Sequence, residues 1–394
     1  MPPVFLVKYN SRREKEKKKN GVVLASLSLK LFFSKDAVEN HYSLTTSESQ
    51  VINILRTSMI IFVVYEHSLN FLGVANGFEP GALRTFHKTI FAMYHRGGGV
   101  AGIALFYSIS AALLFRKPFS FSKNIKKKFF SLAIPYVFWN SFWIAVFYFM
   151  QLNSNLRATT LAVFPGANGV PVDHWNLGHW INAYIGFGQR WMPFLYPFWF
   201  VKDLIVLNLL AGVIKFLIDR FPIPSIVGLV LIVVFRPELY IVNYSSFVAF
   251  AVGYLVVRYE IPLSEAKKVP YALLIFLLFV GYALSFIHRL YALGFLVVLI
   301  DMYVLLVRLA FVAAEHKRVC DWFVPLSRIS FLIFAFHEYT ISLIACCIGH
   351  FFGSGYMVRF MEFLFLPVFA ILMCAALYAL LSKTNMMRAL TGGR

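Results

Sequence analysis

The stretch Asn53-Ile-Leu-Arg-Thr-Ser-Met-Ile-Ile-Phe-Val-Val-Tyr-Glu-His-Ser68 decides how this chain is read. It lies in an apolar run from about residue 47 to 70, long enough as a helix to cross the roughly 30 Å hydrocarbon core of a bilayer. Within that run stand Arg56 and His67, eleven residues apart. At about 100° per residue the spacing comes to three turns and about 20°, so a helix puts both side chains on one face, about 16 Å apart along its axis. Ionisable groups at such depths are costly and mark polar pathways, so the two side chains are expected to share a crevice at different depths.

The rest of the composition agrees with a lipid environment. Of 394 residues, 60% are hydrophobic and only 14% charged, and the mean hydropathy is +0.71, far from the balance of a soluble chain. The formal net charge of +19 is spread between apolar runs. A nucleic-acid partner needs a basic face on a soluble domain, so that reading is set aside.

Ten apolar segments read as spans: 47–70, 98–115, 129–150, 198–217, 222–235, 240–257, 270–287, 290–312, 328–349 and 357–382. The fifth is short and Pro-flanked. Numbered from a cytoplasmic N-terminus, the inside segments between spans hold 24 of the 37 Lys and Arg residues and the outside loops 7. That asymmetry fits the positive-inside rule with both termini in the cytoplasm. The expected fold class is therefore an all-α, polytopic integral membrane protein of about ten transmembrane helices. Residues 1–46 form a basic, disordered N-terminal extension, 47–382 the membrane domain and 383–394 a short cytoplasmic tail. Cys320, Cys346, Cys347 and Cys374 have no metal-ligand or redox spacing and read as packing residues.

Five motifs, in order, resemble the integral-membrane acyltransferases of family 3, whose members O-acylate surface sugars and other acceptors. Arg56 and His67 match its first-helix Arg and His. Phe106-Tyr-Ser-Ile-Ser-Ala-Ala-Leu-Leu-Phe115 resembles its second-helix signature, with Ala111 where Gly is usual. Ile134-Pro-Tyr-Val-Phe-Trp139 opens the third helix after a basic cytoplasmic loop. Phe198-Trp-Phe-Val-Lys-Asp-Leu-Ile-Val-Leu207 is similar to a segment of the branch that modifies exopolysaccharide and enterobacterial-type antigens. Ser330-Phe-Leu-Ile-Phe-Ala-Phe-His337 is similar to the late Ser-x-x-Ile-x-x-x-His segment. The resemblance covers about residues 50 to 380. Where the family often has Arg-x-x-Arg before the third helix, this chain has Lys128-Phe-Phe-Ser131.

The resemblance implies an O-acyltransferase of the bacterial cytoplasmic membrane. It would move an acyl group, expected to be acetyl, from cytoplasmic acyl-CoA to a hydroxyl of a surface or exported polysaccharide or its lipid-linked precursor. Arg116, Lys117, Lys126, Lys127 and Lys128 are expected to face the phosphates of the CoA donor, with a looser grip than a bidentate Arg pair gives. The chemistry also follows from the residues. A hydroxyl attacking a thioester needs a base that titrates near neutrality, which suits His67; Arg56 then anchors the donor or stabilises charge. Glu66, about 80° around the helix from Arg56, looks badly placed to orient His67.

Four further residues are candidate substrate-lining groups. Lys202 and Asp203, beside Trp199, either neutralise each other or line an acceptor entrance. His337, followed by Glu338, is either a second lining residue or part of a buried hydrogen-bonded pair. Asp301 and Arg308, seven apart, share a helix face and suggest an intrahelical structural role. In the outside loop 151–197, Trp175 and Trp180 can stack on sugars or anchor at the interface. His174 and His179 in that loop have no third ligand nearby, and no metal is expected anywhere in the chain. The competing class is a polytopic transporter or polysaccharide-export component, since buried charges also line permeation paths. A transporter should show repeated halves, and none is visible.

Overall fold

The computed structural model of the chain describes residues 44–73, 81–93, 99–163, 169–186, 192–239 and 241–382, and no strand occurs among them. The N-terminal extension up to residue 43 and the tail 383–394 lie outside the described residues. The helices are α1 (Thr46–Gly73), α2 (Gly81–Met93), α3 (Gly99–Phe115), α4 (Phe121–Lys128), α5 (Ile134–Gln151), α6 (Ser154–Val163) and α7 (Leu177–Ile185). They are followed by α8 (Trp199–Arg220), α9 (Pro222–Phe235), α10 (Tyr244–Arg258), α11 (Tyr271–Phe286), α12 (Tyr291–Ala314), α13 (Lys317–Phe352) and α14 (Tyr356–Leu381). Each of the ten apolar segments read from the sequence falls on one of these: α1, α3, α5, and α8 to α14.

Among the described residues, four helical stretches are long and apolar enough to cross a bilayer alone: Phe121–Gln151, His288–Ala314, Lys317–Phe352 and Tyr356–Leu380. A fifth is the pair α8 and α9, bent by 120°. The bend sits where the short, Pro-flanked segment was expected. Pro222 opens α9; its ring keeps Phe221 out of the helical region, and its missing N–H cannot continue the ladder of α8. Helices α3, α10 and α11 are apolar and shorter. Large apolar side chains such as Phe149, Phe216, Phe279 and Leu372 are exposed, as they should be where lipid replaces water.

Helix α1 is central: it packs against α3, α12, α13 and α14. A capping box starts it, in which the Glu48 carboxylate accepts from the Thr45 backbone N–H and the Glu48 N–H donates to the Thr45 hydroxyl, each at 3.1 Å. That satisfies donors a helix start otherwise leaves open. The Thr57 hydroxyl then donates to the Phe323 carbonyl of α13 at 2.7 Å. Helices α3 and α10 approach to backbone contact. A Cβ on Gly253 would lie 2.2 Å from the Ser108 carbonyl oxygen, so only glycine lets these helices meet.

The basic stretch 116–128, expected as a loop, is largely helical. Helix α4 holds residues 121–128 and runs through one π-helical turn, Phe129–Ala133, into α5. Pro135 near the start of α5 accounts for the wider turn, because a proline ring crowds the carbonyl four residues earlier.

Candidate active site

Arg56, Ile60, Val63 and His67 form one stripe of α1, and all four line a single cavity of about 170 Å³. The spacing of four, seven and eleven residues is that of a helix face. Opposite the stripe stand Phe106 and Ser110 of α3, Leu132 of the π-helical turn, Trp199 and Phe200 of α8, and Phe331 and Phe334 of α13. The walls are mostly apolar, with the guanidinium and the imidazole as polar features at different heights. Such a chamber suits an acyl chain and a few precisely held polar atoms.

His67 is the best-furnished residue of the site. It is 8% exposed, and its Nδ1 lies 2.6 Å from Oε2 of Glu338 on α13. Its Nε2 lies 3.4 Å from Oε2 of Glu66, which also lines the cavity. Glu66, expected to sit badly for orienting His67, comes this near because a side chain with three rotatable bonds narrows the gap that the helix angle opens, and no hydrogen bond joins the two among the described residues. The rings of Tyr196 and His337 stand edge-on to His67, with centroids 5.6 Å and 5.0 Å away.

His337 is fully enclosed. Its Nδ1 is 3.0 Å from the Ile333 carbonyl and 3.1 Å from that of Phe334. Carbonyls only accept, so Nδ1 carries the proton. The remaining nitrogen, Nε2, is enclosed without a hydrogen-bond partner. His67, His337 and Glu338 offer three ligand atoms within 4.8 Å of one another, close enough for a metal ion to bridge. A grouping of this kind was not expected from the sequence, because its members come from helices far apart in the chain.

The segment carrying Tyr196 is pinned from two sides. Asn140 of α5 accepts from the Leu195 N–H at 2.9 Å, and the Tyr339 hydroxyl of α13 donates to the Phe194 carbonyl. These buried bonds fix the segment whose Tyr196 lines the cavity.

Lys202 and Asp203 do pair, with Nζ and Oδ1 3.8 Å apart, and Asp203 also accepts from the Asn243 N–H at 3.0 Å. Both residues also line a second cavity of about 380 Å³. That cavity shares Tyr196 and Trp199 with the first. The basic residues are more dispersed. Lys117, Lys126 and Lys127 are exposed, while Arg116 lines a separate crevice of about 30 Å³ with Ser108 and Gly253. None of the five lines the Arg56–His67 cavity, although Leu132, four residues beyond Lys128, does.

Two other expectations are settled locally. Asp301 and Arg308 form no ion pair: both carboxylate oxygens of Asp301 are enclosed without a partner, and the Arg308 guanidinium lies over the Tyr271 ring, 3.8 Å from its centroid. Seven residues span about 10 Å along a helix, too far for direct contact. Between α5 and α8, His179 closes a capping box with Asn176. Trp175 packs against Trp180 and Phe194.

Sequence reasoning missed Glu338 as the partner of His67. The available signal was an acidic residue deep in an apolar run of α13.

A known family described as an acyltransferase domain matches residues 50–381. The chain therefore belongs to acyltransferase family 3. No curated protein and no solved structure is found to match it.

Proposed function

We propose that this family member is a ten-helix O-acyltransferase of the bacterial cytoplasmic membrane, with both termini in the cytoplasm. It transfers an acyl group, acetyl in the first instance, from cytoplasmic acyl-CoA to a hydroxyl of a surface or exported polysaccharide or its lipid-linked precursor. The observation that carries this reading is the single cavity lined by Arg56 and His67, with Glu338 on the imidazole. Membership of an acyltransferase family favours it over a transporter or export component.

In this mechanism the Glu338 carboxylate, 2.6 Å from Nδ1 of His67, favours the tautomer protonated at that nitrogen and leaves the Nε2 lone pair to act as base. Nε2 takes the proton of the acceptor hydroxyl as that oxygen attacks the thioester carbonyl carbon. The carbon–oxygen bond forms, the tetrahedral intermediate collapses, and the carbon–sulfur bond breaks. The proton held on the imidazole passes to the departing CoA thiolate, so the base is regenerated. An oxyanion partner must lie within about 3 Å of the developing charge, whereas Arg56 is about 16 Å along the helix from His67. Arg56 is therefore the donor's anchor. The cations Arg116, Lys117, Lys126, Lys127 and Lys128 gather the CoA phosphates on the cytoplasmic side, as dispersed point charges rather than a bidentate clamp.

The test uses membranes containing the protein, labelled acetyl-CoA and extracted glycan. His67→Ala should abolish label transfer while protein abundance stays the same. Retained acylation would remove His67 as the base.

A further inference from the structure

The second cavity, beside the proposed catalytic one, contains a cation that no carboxylate neutralises among the described residues. Arg236 lines this cavity together with Trp199 and Tyr196. Its guanidinium lies over the rings of Tyr291 and Phe295, 4.4 Å and 4.9 Å from their centroids. Stacking on ring faces occupies the flat sides of a guanidinium and leaves its in-plane N–H groups for a partner. Two of those nitrogens, Nε and Nη2, are enclosed and have no hydrogen-bond partner. An enclosed cation with open donors is an expensive arrangement unless an anion completes it.

The neighbouring carboxylates do not complete it. Asp203 is engaged by Lys202 and by the Asn243 N–H. Glu238 is exposed at the rim of the cavity, and no ion pair joins it to Arg236 among the described residues. The backbone points the same way: Arg236 caps α9 with φ of 49° and ψ of 55°. That left-handed conformation would suit glycine better. A large cation kept in a strained position suggests a task.

We propose that this cavity is the acceptor subsite and that Arg236 selects acceptors bearing an anion, a sugar carboxylate or phosphate, near the hydroxyl to be acylated. The inference rests on the acyltransferase reading above and adds the acceptor class to it. The shared wall of Tyr196 and Trp199 gives a sugar ring an aromatic face. Because Tyr196 stands 5.6 Å from the His67 ring, a sugar on that wall is within reach of the base.

The test measures binding of three soluble probes, glucuronate, glucose 1-phosphate and glucose, to the full chain in detergent. At least one anionic probe should bind about tenfold or more tightly than glucose, and the anion that binds identifies the source. Arg236→Gln should remove the preference. So should Arg236→Gly, which relieves the backbone and thus guards against a loss caused by misfolding. No preference in the parent chain, or a preference that survives both substitutions, overturns the proposal. So does displacement of both anionic probes by phosphatidylglycerol added to the micelles, which would make the arginine a lipid-headgroup contact. Acyl transfer is measured on the same samples. An Arg236-dependent preference without transfer would sink the enzymatic reading alone; transfer with no such preference would sink this inference alone.

Discussion

Nδ1 of His67 and Oε2 of Glu338 lie 2.6 Å apart, joining the central helix α1 to α13 at the wall of the cavity that His67 lines. A carboxylate in that position favours the tautomer protonated at Nδ1. Glu338→Gln preserves the shape and removes the charge. Acyl transfer should fall by about 10²-fold or more, the scale on which losing a base or its orienting partner is felt. Initial rates with labelled acetyl-CoA would check this, and a loss smaller than threefold would show that the contact is only structural.

Arg56→Lys keeps a positive charge and loses the planar fork. If Arg56 anchors the donor, this variant should show a raised KM for acyl-CoA with kcat changed little. A fall in kcat at unchanged KM would instead place the guanidinium at the reacting carbonyl.

Three ligand atoms of His67, His337 and Glu338 within 4.8 Å of one another could capture a soft divalent ion. If His67 works as a free base, added zinc should inhibit transfer and EDTA should restore it, because a metal-bound nitrogen cannot take a proton. Inhibition by EDTA alone would point to a metal-assisted reaction.

Asn140→Ala should act through stability. It leaves the buried N–H of Leu195 without its acceptor, at a cost of about 1–3 kcal/mol. The melting temperature of the detergent-solubilised protein should drop, and acceptor binding should weaken as the Tyr196 segment loosens. An unchanged melting temperature would mean that the bond is readily replaced by another.

Gly253→Ala puts a Cβ 2.2 Å from the Ser108 carbonyl oxygen and should destabilise the α3–α10 contact by about 1–3 kcal/mol or more. Gly228→Ala meets nothing within 4 Å and gains helix propensity. Comparing the melting temperatures of the two variants isolates the close approach from the general effect of removing glycine.

What could be read in advance was local. The shared face of Arg56 and His67 follows from counting residues along one helix, and the ten apolar segments follow from composition, so both were visible in the chain. The Glu338 contact joins α1 to α13, and nothing in a single sequence reports which helices will be neighbours. Side-chain reach was the other blind spot. It brings Glu66 to His67 despite an unfavourable helix angle, while Asp301 and Arg308 share a face and still do not meet. In the 116–128 stretch the charges were legible, but the helix that spaces them was not. Only the folded arrangement separates the Arg116 crevice from the chamber under His67.

If Arg56 holds the donor and His67 is the base, the eleven-residue interval in α1 works as a gauge. Helical rise sets the height between the two backbone positions that carry guanidinium and imidazole at about 16 Å, and side-chain rotamers adjust it only at either end. A thioester borne on a long, slender arm can be gripped at one mark and still present its carbonyl at the other; the same acyl group on a stubby carrier would fall short. Discrimination among donors could then rest on length as much as on chemical detail, and one residue inserted between the two marks would swing His67 about 100° off the scale.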